Sequence, residues 1–269
     1  TLPATYNDFG GKLPSMVKEA LLDQQALAYN LNMGMVDVAN TLSSTAKGQQ
    51  TLLDILGYQD PMQSHVAFAE SIESVNEGIK RSMDLLADTV EAVGDQDFYL
   101  QSTLWSNFRN GNVAGFNPQG DKIHRGFVSL KNDAITVPLT AKNEIFDANG
   151  ALTQYGMFLR GLAFRMEDVK IQGNAVDKTL VAEFLPMFHD YINSPEVRSA
   201  ADALQKVMDG THNSTSDLNT LRDLLVDWEM GALGLSALMA INTRNQAIDN
   251  GASSFDVMMA ADSDGLVNG

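Results

Sequence analysis

Four cations near the middle of the chain are the side chains whose type and spacing best suit the binding of an anion. His124 and Arg125 are adjacent in a segment rich in β-branched residues, and Arg160 and Arg165 lie on the helical segment that follows. A local group of cations in an acidic chain selects an anionic ligand. These residues predict an anion-selective pocket near a β insert, and with it a helical ligand-binding or enzymatic domain as an alternative function.

A second candidate site, near the end of the sequence, has the ligand types that calcium prefers. Asp262, Asp264 and Asn268 take positions three, five and nine of a calcium-binding loop. Alanine occupies the first position, however, and the bidentate acid of the twelfth position is missing. Asp147–Gly150 repeats the pattern, and a tight Asx turn is the better interpretation of both segments. An exported calcium-binding protein is therefore a lesser alternative, and Ca²⁺ is the only cofactor that the sequence suggests.

The chain lacks the strong signatures of catalysis. It contains no cysteine, no G-x-S-x-G nucleophile elbow and no pair of histidines at a metal-binding spacing. The segment 115–122 has the glycine spacing of a phosphate-binding loop, but Asp121 places an anion where that loop needs its lysine. The sequence therefore favours a non-enzymatic protein without a resident cofactor.

The charge balance limits the kinds of partner. The chain has 34 acidic and 18 basic side chains, a net charge of −16, and its basic residues are scattered along the sequence. Phosphate backbones are bound by clustered cations, so we expect no nucleic acid partner. The longest uncharged apolar stretch, 230–243, is shorter than the roughly 20 residues that cross a bilayer, which predicts no transmembrane segment.

Three long amphipathic helices are predicted to carry and position these groups, over about 14–47, 63–93 and 213–250. Apolar residues recur in each at steps of three and four, as on one face of a helix. In the third helix the steps alternate as in the heptads of a coiled coil, so we predict that this face is an interaction surface. Its large apolar residues are Leu218, Leu221, Leu225, Trp228, Leu235 and Met239.

Turn residues between the helical segments suggest four regions. We expect an N-terminal long-helix region at 1–110, a β insert at 111–152, C-terminal helices that pack with the N-terminal ones at 153–250, and a flexible tail at 251–269. The predicted fold class is mainly α: an elongated antiparallel helical bundle with a small antiparallel β insert.

Long heptad helices and missing catalytic motifs together favour a structural role. The leading prediction is a non-enzymatic structural or assembly protein, such as a subunit of a virion, surface appendage or secretion apparatus. Its partner would be protein, as a homo-oligomer or a larger assembly. The sequence starts at Thr1, which we interpret as a processed or partial chain, and an extracellular or virion location is favoured over the cytoplasm.

Overall fold

Helices make up most of the chain, which confirms the mainly α class. The computed structural model describes residues 15–60, 69–104, 110–112, 115–116, 118–131, 134–139, 144–166, 181–213 and 215–258. In these ranges the helices are α1 (Ser15–Gln25), α2 (Met33–Ser43), α3 (Ala46–Ile55), α4 (Ala69–Val93), α5 (Lys122–Gly126), α6 (Gln154–Arg165), α7 (Val181–Ile192), α8 (Pro195–Met208), α9 (Ser216–Asp227) and α10 (Ala232–Asp249). The strands are β1 (Ala28–Leu31), β2 (Phe98–Tyr99), β3 (Ser102–Leu104), β4 (Asn110–Asn112), β5 (Val128–Leu130), β6 (Ala134–Pro138) and β7 (Ser254–Met258).

The predicted continuous helix over 14–47 is wrong, because strand β1 interrupts it. Tyr29 and Leu31 are both buried, which is the alternation of a strand, although Leu31 also falls on the helical spacing. Asn32 then caps α2 by accepting a hydrogen bond from the Met35 amide at 3.2 Å, and Thr45 caps α3 in the same way. The chain therefore forms three short helices around a strand.

The predicted single helix over 213–250 is also wrong. It consists of α9 and α10, which meet at an angle of 118°. Between them Glu229 has φ 55° and Gly231 has φ 57°, and left-handed backbone of this kind ends a helix. The heptad spacing spans both helices because each presents its apolar face to one common core.

Small antiparallel sheets connect distant parts of the sequence. Strand β5 pairs with β1, which also pairs with β2, and β6 pairs with β7. The strands of the predicted insert therefore pair outside it. Residues 254–258, expected within a flexible tail, form a five-residue strand, while 259–269 lie outside the described residues. Residues 98–104, expected within the N-terminal long-helix region, contain strands β2 and β3.

The core lies where α9 and α10 pack on α8, with α2 also on α8, α3 on α9 and α5 on α10. Helix α8 starts at Pro195 after the cap Ser194, and its buried alanines allow its neighbours to approach closely. Gly126 on α5 has the same effect, because a Cβ there would lie 2.5 Å from the Cβ of Ala232 on α10. In the described part of the chain no single helix is long and apolar enough to cross a membrane, and only the bent pair α9 and α10 passes that test together.

Candidate functional site

His124 is buried where α5 packs against α4. Asp121 caps α5, with its Oδ1 accepting from the amides of Ile123 at 2.8 Å and His124 at 3.3 Å. The His124 side chain is 1% exposed, and its Nε2 lies 2.9 Å from the carbonyl oxygen of Ser82 on α4. A carbonyl can only accept, so Nε2 carries the proton. The hydroxyl of Ser82 in turn donates to Asp121 Oδ2.

Serine, histidine and aspartate thus come together, but not in the order that activates a nucleophile. Acyl transfer needs the hydroxyl to donate to the imidazole and the imidazole to donate to the carboxylate. Here the hydroxyl of Ser82 donates to the carboxylate of Asp121, and the imidazole of His124 donates to a backbone carbonyl. In this arrangement the network fastens α5 to α4.

Arg125 closes the turn that precedes α5. Its Nε donates to the carbonyl of Pro118 at 3.0 Å, and its Nη2 donates to that of Gln119 at 2.7 Å. Residues 118–120, in the segment that resembled a phosphate-binding loop, therefore form a turn that is held by the arginine and followed by the Asp121 cap. In this geometry the side chain of Arg125 stabilises the turn.

The other two predicted cations lie on α6. Arg160 is on the exposed face of that helix, and Arg165 is its last residue, with a side chain outside the described part of the structure. Helix α6 packs against α7, β6 and α10, whereas α5 packs against α4 and α10. The convergence of His124, Arg125, Arg160 and Arg165 on one ligand stays a prediction.

The predicted calcium ligands Asp262, Asp264 and Asn268 lie outside the described residues. The related segment at 147–150 is the Asx turn that we preferred, because Asp147 Oδ1 accepts from the amides of Asn149 and Ala151 at 2.8 and 2.9 Å. Within the described ranges no three acidic or histidine side chains are grouped so as to hold a metal ion.

The predicted interaction helix contributes mainly to the core of the chain itself. Five of its six large residues have no exposed surface, and Met239 is partly buried. These five are Leu218, Leu221, Leu225, Trp228 and Leu235. Their side chains are already covered by neighbouring elements, and their role in contacts between chains stays a prediction.

Sequence reasoning missed an apolar pocket between α2 and α4. The pocket has a volume of about 230 Å³, and two of its lining residues, Asn40 and Glu91, are polar. The full lining is Val36, Ala39, Asn40, Met83, Leu86, Ala87, Val90, Glu91 and Phe127. A small residue on each helix, Ala39 on α2 and Ala87 on α4, leaves space for the pocket. The pocket depends on how the two helices lie side by side, which the sequence does not reveal.

The pocket suits an apolar side chain better than a cofactor. Small-molecule sites generally occupy about 300–1,000 Å³ and contain several convergent polar groups. This pocket is smaller, and its walls are mostly apolar. The same two helices carry further exposed acids, Asp84 and Asp88 on α4 and Asp37 on α2. The arrangement can therefore receive an apolar group that is flanked by cations.

A comparison with known protein families gives a match that covers the region of the pocket. Residues 16–128 match a family model described as a virion DNA-directed RNA polymerase domain, and this segment is somewhat less than half of the chain. It contains the whole apolar pocket and the network around His124. No curated protein matches the chain. The match supports a virion association. A polymerase acts on nucleic acid, so the absence of a nucleic acid partner, expected from the charge balance, stays a prediction.

Proposed function

We propose that the chain is a non-enzymatic assembly domain of a virion-associated protein, and that it contacts a protein partner through the pocket between α2 and α4. The observation that carries the proposal is that the pocket lies entirely inside the segment that resembles a virion polymerase domain. On this view the chain holds or positions another component of the particle. Oligomer formation and an elongated antiparallel bundle belong to the same proposal.

The partner that fits is a protein segment with a large apolar side chain and neighbouring lysines or arginines. An apolar anchor that fills a small pocket supplies most of the affinity of many interfaces. Glu91 in the pocket lining, with the exposed Asp84 and Asp88 on the same helix, would add steering and specificity for a basic partner. Exposed ion pairs at such a rim contribute little to affinity themselves.

The described cations support a protein partner over nucleic acid. Three of them, Arg198, Lys206 and Arg222, form ion pairs with aspartates at 2.5 to 2.8 Å. Lys131 is paired with Asp97. Cations that are neutralised in this way, on a chain of net charge −16, do not form the basic stripe that follows a phosphate backbone.

A virus that encodes Ala87→Arg tests the proposal. The charged side chain fills the pocket, so we expect the amount of the chain in purified particles to fall about tenfold, as measured by quantitative mass spectrometry. Ala92→Arg adds the same side chain to an exposed position of α4 that is outside the pocket lining, and should leave that amount unchanged. Equal incorporation of both variants, with circular dichroism showing both folded, would contradict the role of the pocket.

Contact with nucleic acid is a second candidate function, which the polymerase in the matched description favours. Fluorescence anisotropy with labelled single-stranded and double-stranded DNA at low salt separates the two candidates. We expect no binding in the micromolar range. Binding that weakens steeply with salt would replace the assembly proposal, because that dependence is the signature of released counterions. Light scattering and small-angle X-ray scattering of the same sample test the oligomer and the elongated shape.

A further inference from the structure

Arg244 on α10 is a buried cation whose hydrogen bonds go to neutral groups. The residue is 1% exposed, and its Nη1 donates to Asn193 Oδ1 and to Asn245 Oδ1, both at 2.9 Å. Its Nε has no hydrogen-bond partner. The ion pairs of the described residues do not include it. Removing a charge from water without an opposite charge is costly, so this position calls for an explanation.

Other incomplete polar groups surround this guanidinium. The ring of Tyr155 lies 5.5 Å from Cζ of Arg244, and the ring of His189 lies edge-on to Tyr155 with 5.9 Å between the centroids. The hydroxyl of Tyr155, Nε2 of His189 and Nδ2 of Asn245 are all buried without a hydrogen-bond partner. Burial raises the pKa of Tyr155, and the neighbouring guanidinium of Arg244 lowers it in part, so the hydroxyl keeps its proton; it meets no strict hydrogen-bond geometry with Arg244 and can donate to another group. Among the described residues, the four members of the cluster therefore have unused polar atoms and one positive charge, and none of the four carries a negative charge.

An oxyanion has the properties that this cluster lacks. A phosphate or carboxylate group takes two parallel hydrogen bonds from a guanidinium, and its other lone pairs accept from hydroxyl and amide donors. A water molecule would complete hydrogen bonds but would leave the charge uncompensated. We propose that Arg244, Tyr155, His189 and Asn245 form a binding site for a small oxyanion, either phosphate or a carboxylate.

The last turn of α7 and the residue that follows it separate the cluster from solvent. The His189 side chain is 27% exposed, and Asn193 is exposed as well. Oδ1 of Asn193 is the acceptor that an incoming oxyanion would replace at Nη1 of Arg244, so entry requires the Asn193 side chain to turn outward. Asp190, 3.8 Å from Nδ1 of His189, is 88% exposed and repels an anion only weakly. The site lies outside the matched segment and does not depend on the proposed function.

Thermal unfolding of the whole chain in phosphate, and separately in acetate, tests this site at an ionic strength held constant with chloride. We expect a saturable rise in Tm, of about 5 °C at roughly 100 times the Kd. Arg244→Met should abolish the rise. The matched control is Arg222→Met, which removes the same charge from an exposed pair with Asp223 and should keep the full rise.

A second variant keeps the test decisive if Arg244→Met does not fold. Asn245→Asp places a carboxylate within hydrogen-bond distance of Nη1 of Arg244, so the chain itself supplies the missing charge. We expect a higher Tm than that of the unchanged chain in anion-free buffer, and no response to phosphate or acetate. The proposal is overturned if Tm does not respond in the unchanged chain, or if it rises equally and without saturation in every variant, which is a general salt effect.

Discussion

Two buried polar clusters, one around His124 and one around Arg244, differ in how completely their hydrogen bonds are formed. Both residues are 1% exposed. Around His124 the imidazole, the hydroxyl of Ser82 and the carboxylate of Asp121 each have a partner. Around Arg244 several polar atoms have none. A completed network fastens packed helices, whereas an incomplete one lowers stability and points to a role other than stability.

The two clusters are connected through packed helices, because α5, which carries His124, packs on α10, which carries Arg244. Gly126→Ala should break this link and have the largest effect. The new Cβ would lie 2.5 Å from Cβ and 2.6 Å from the backbone carbonyl carbon of Ala232, so one of the helices must move. We expect a loss of about 3 kcal/mol in the free energy of unfolding, measured with urea.

Gly150→Ala is a useful comparison for that variant. Its added Cβ meets nothing within 4 Å, but φ is +80°, so only backbone strain of about 1 kcal/mol is expected. If both glycine variants lose the same stability, close packing of α5 on α10 is not what Gly126 provides.

Asp121→Ala should show that the His124 cluster stabilises the fold. It removes the acceptor for the amides of Ile123 and His124, and it leaves the hydroxyl of Ser82 without its partner. We expect a loss of about 2 kcal/mol by urea unfolding. Asp121→Asn retains an oxygen for the cap and should lose less than half as much. A loss of the same size in both variants would mean that the charge of Asp121 matters more than the cap.

The extent to which sequence predicted this molecule differs between local and long-range features. The start of α8 was predictable because Ser194 and Pro195 are local signals for a helix N-terminus. Strand β1 was not, because Leu31 fits both a helical and an alternating pattern and the pairing with β2 and β5 decides between them. The heptad spacing over 213–250 picks out residues that are buried in the structure, but the continuous helix predicted from it is wrong, since Gly231 turns the chain within it.

Neither the pocket nor the Arg244 cluster could be derived from the spacing of residues along the sequence. The pocket arises where Ala39 and Ala87, far apart in sequence, face one gap. Arg244 did leave one signal in the sequence, since it directly follows the uncharged segment 230–243. A lone cation in a buried helix is a candidate for function, because its burial needs compensation.

Tyr155→Phe tests the comparison directly. Removing a hydroxyl that has no hydrogen-bond partner should cost less stability than removing one that has a partner. The removed hydroxyl is buried without a partner, so stability should stay equal or rise by up to about 1 kcal/mol in anion-free buffer. Tyr191→Phe is the matched control. It removes a hydroxyl that accepts from Nε1 of Trp228 at 2.6 Å, and should lose about 1–2 kcal/mol. A loss of that size in Tyr155→Phe would show that its hydroxyl is already satisfied.

The pH dependence of stability should give the smallest effect, and it originates at His189. Burial, and next the charge of Arg244, lower the pKa of His189 from its ordinary value of 6.5, whereas Asp190 opposes them. The unfolded chain therefore binds more protons as pH falls below about 6.5, and stability declines until the pH passes below the pKa of the folded state. We expect the fall in Tm between about pH 7.5 and pH 5.5 to be smaller in His189→Gln than in the unchanged chain.

Asp190→Asn should change the same pH dependence in the opposite direction. Without that carboxylate the pKa of His189 in the folded state falls further, because only burial and the charge of Arg244 remain. The pH range over which stability is lost becomes wider, and the total loss becomes larger. An identical pH dependence of Tm in the unchanged chain and in both variants would show that His189 does not feel the charge of Arg244. The two residues would then not belong to one cluster.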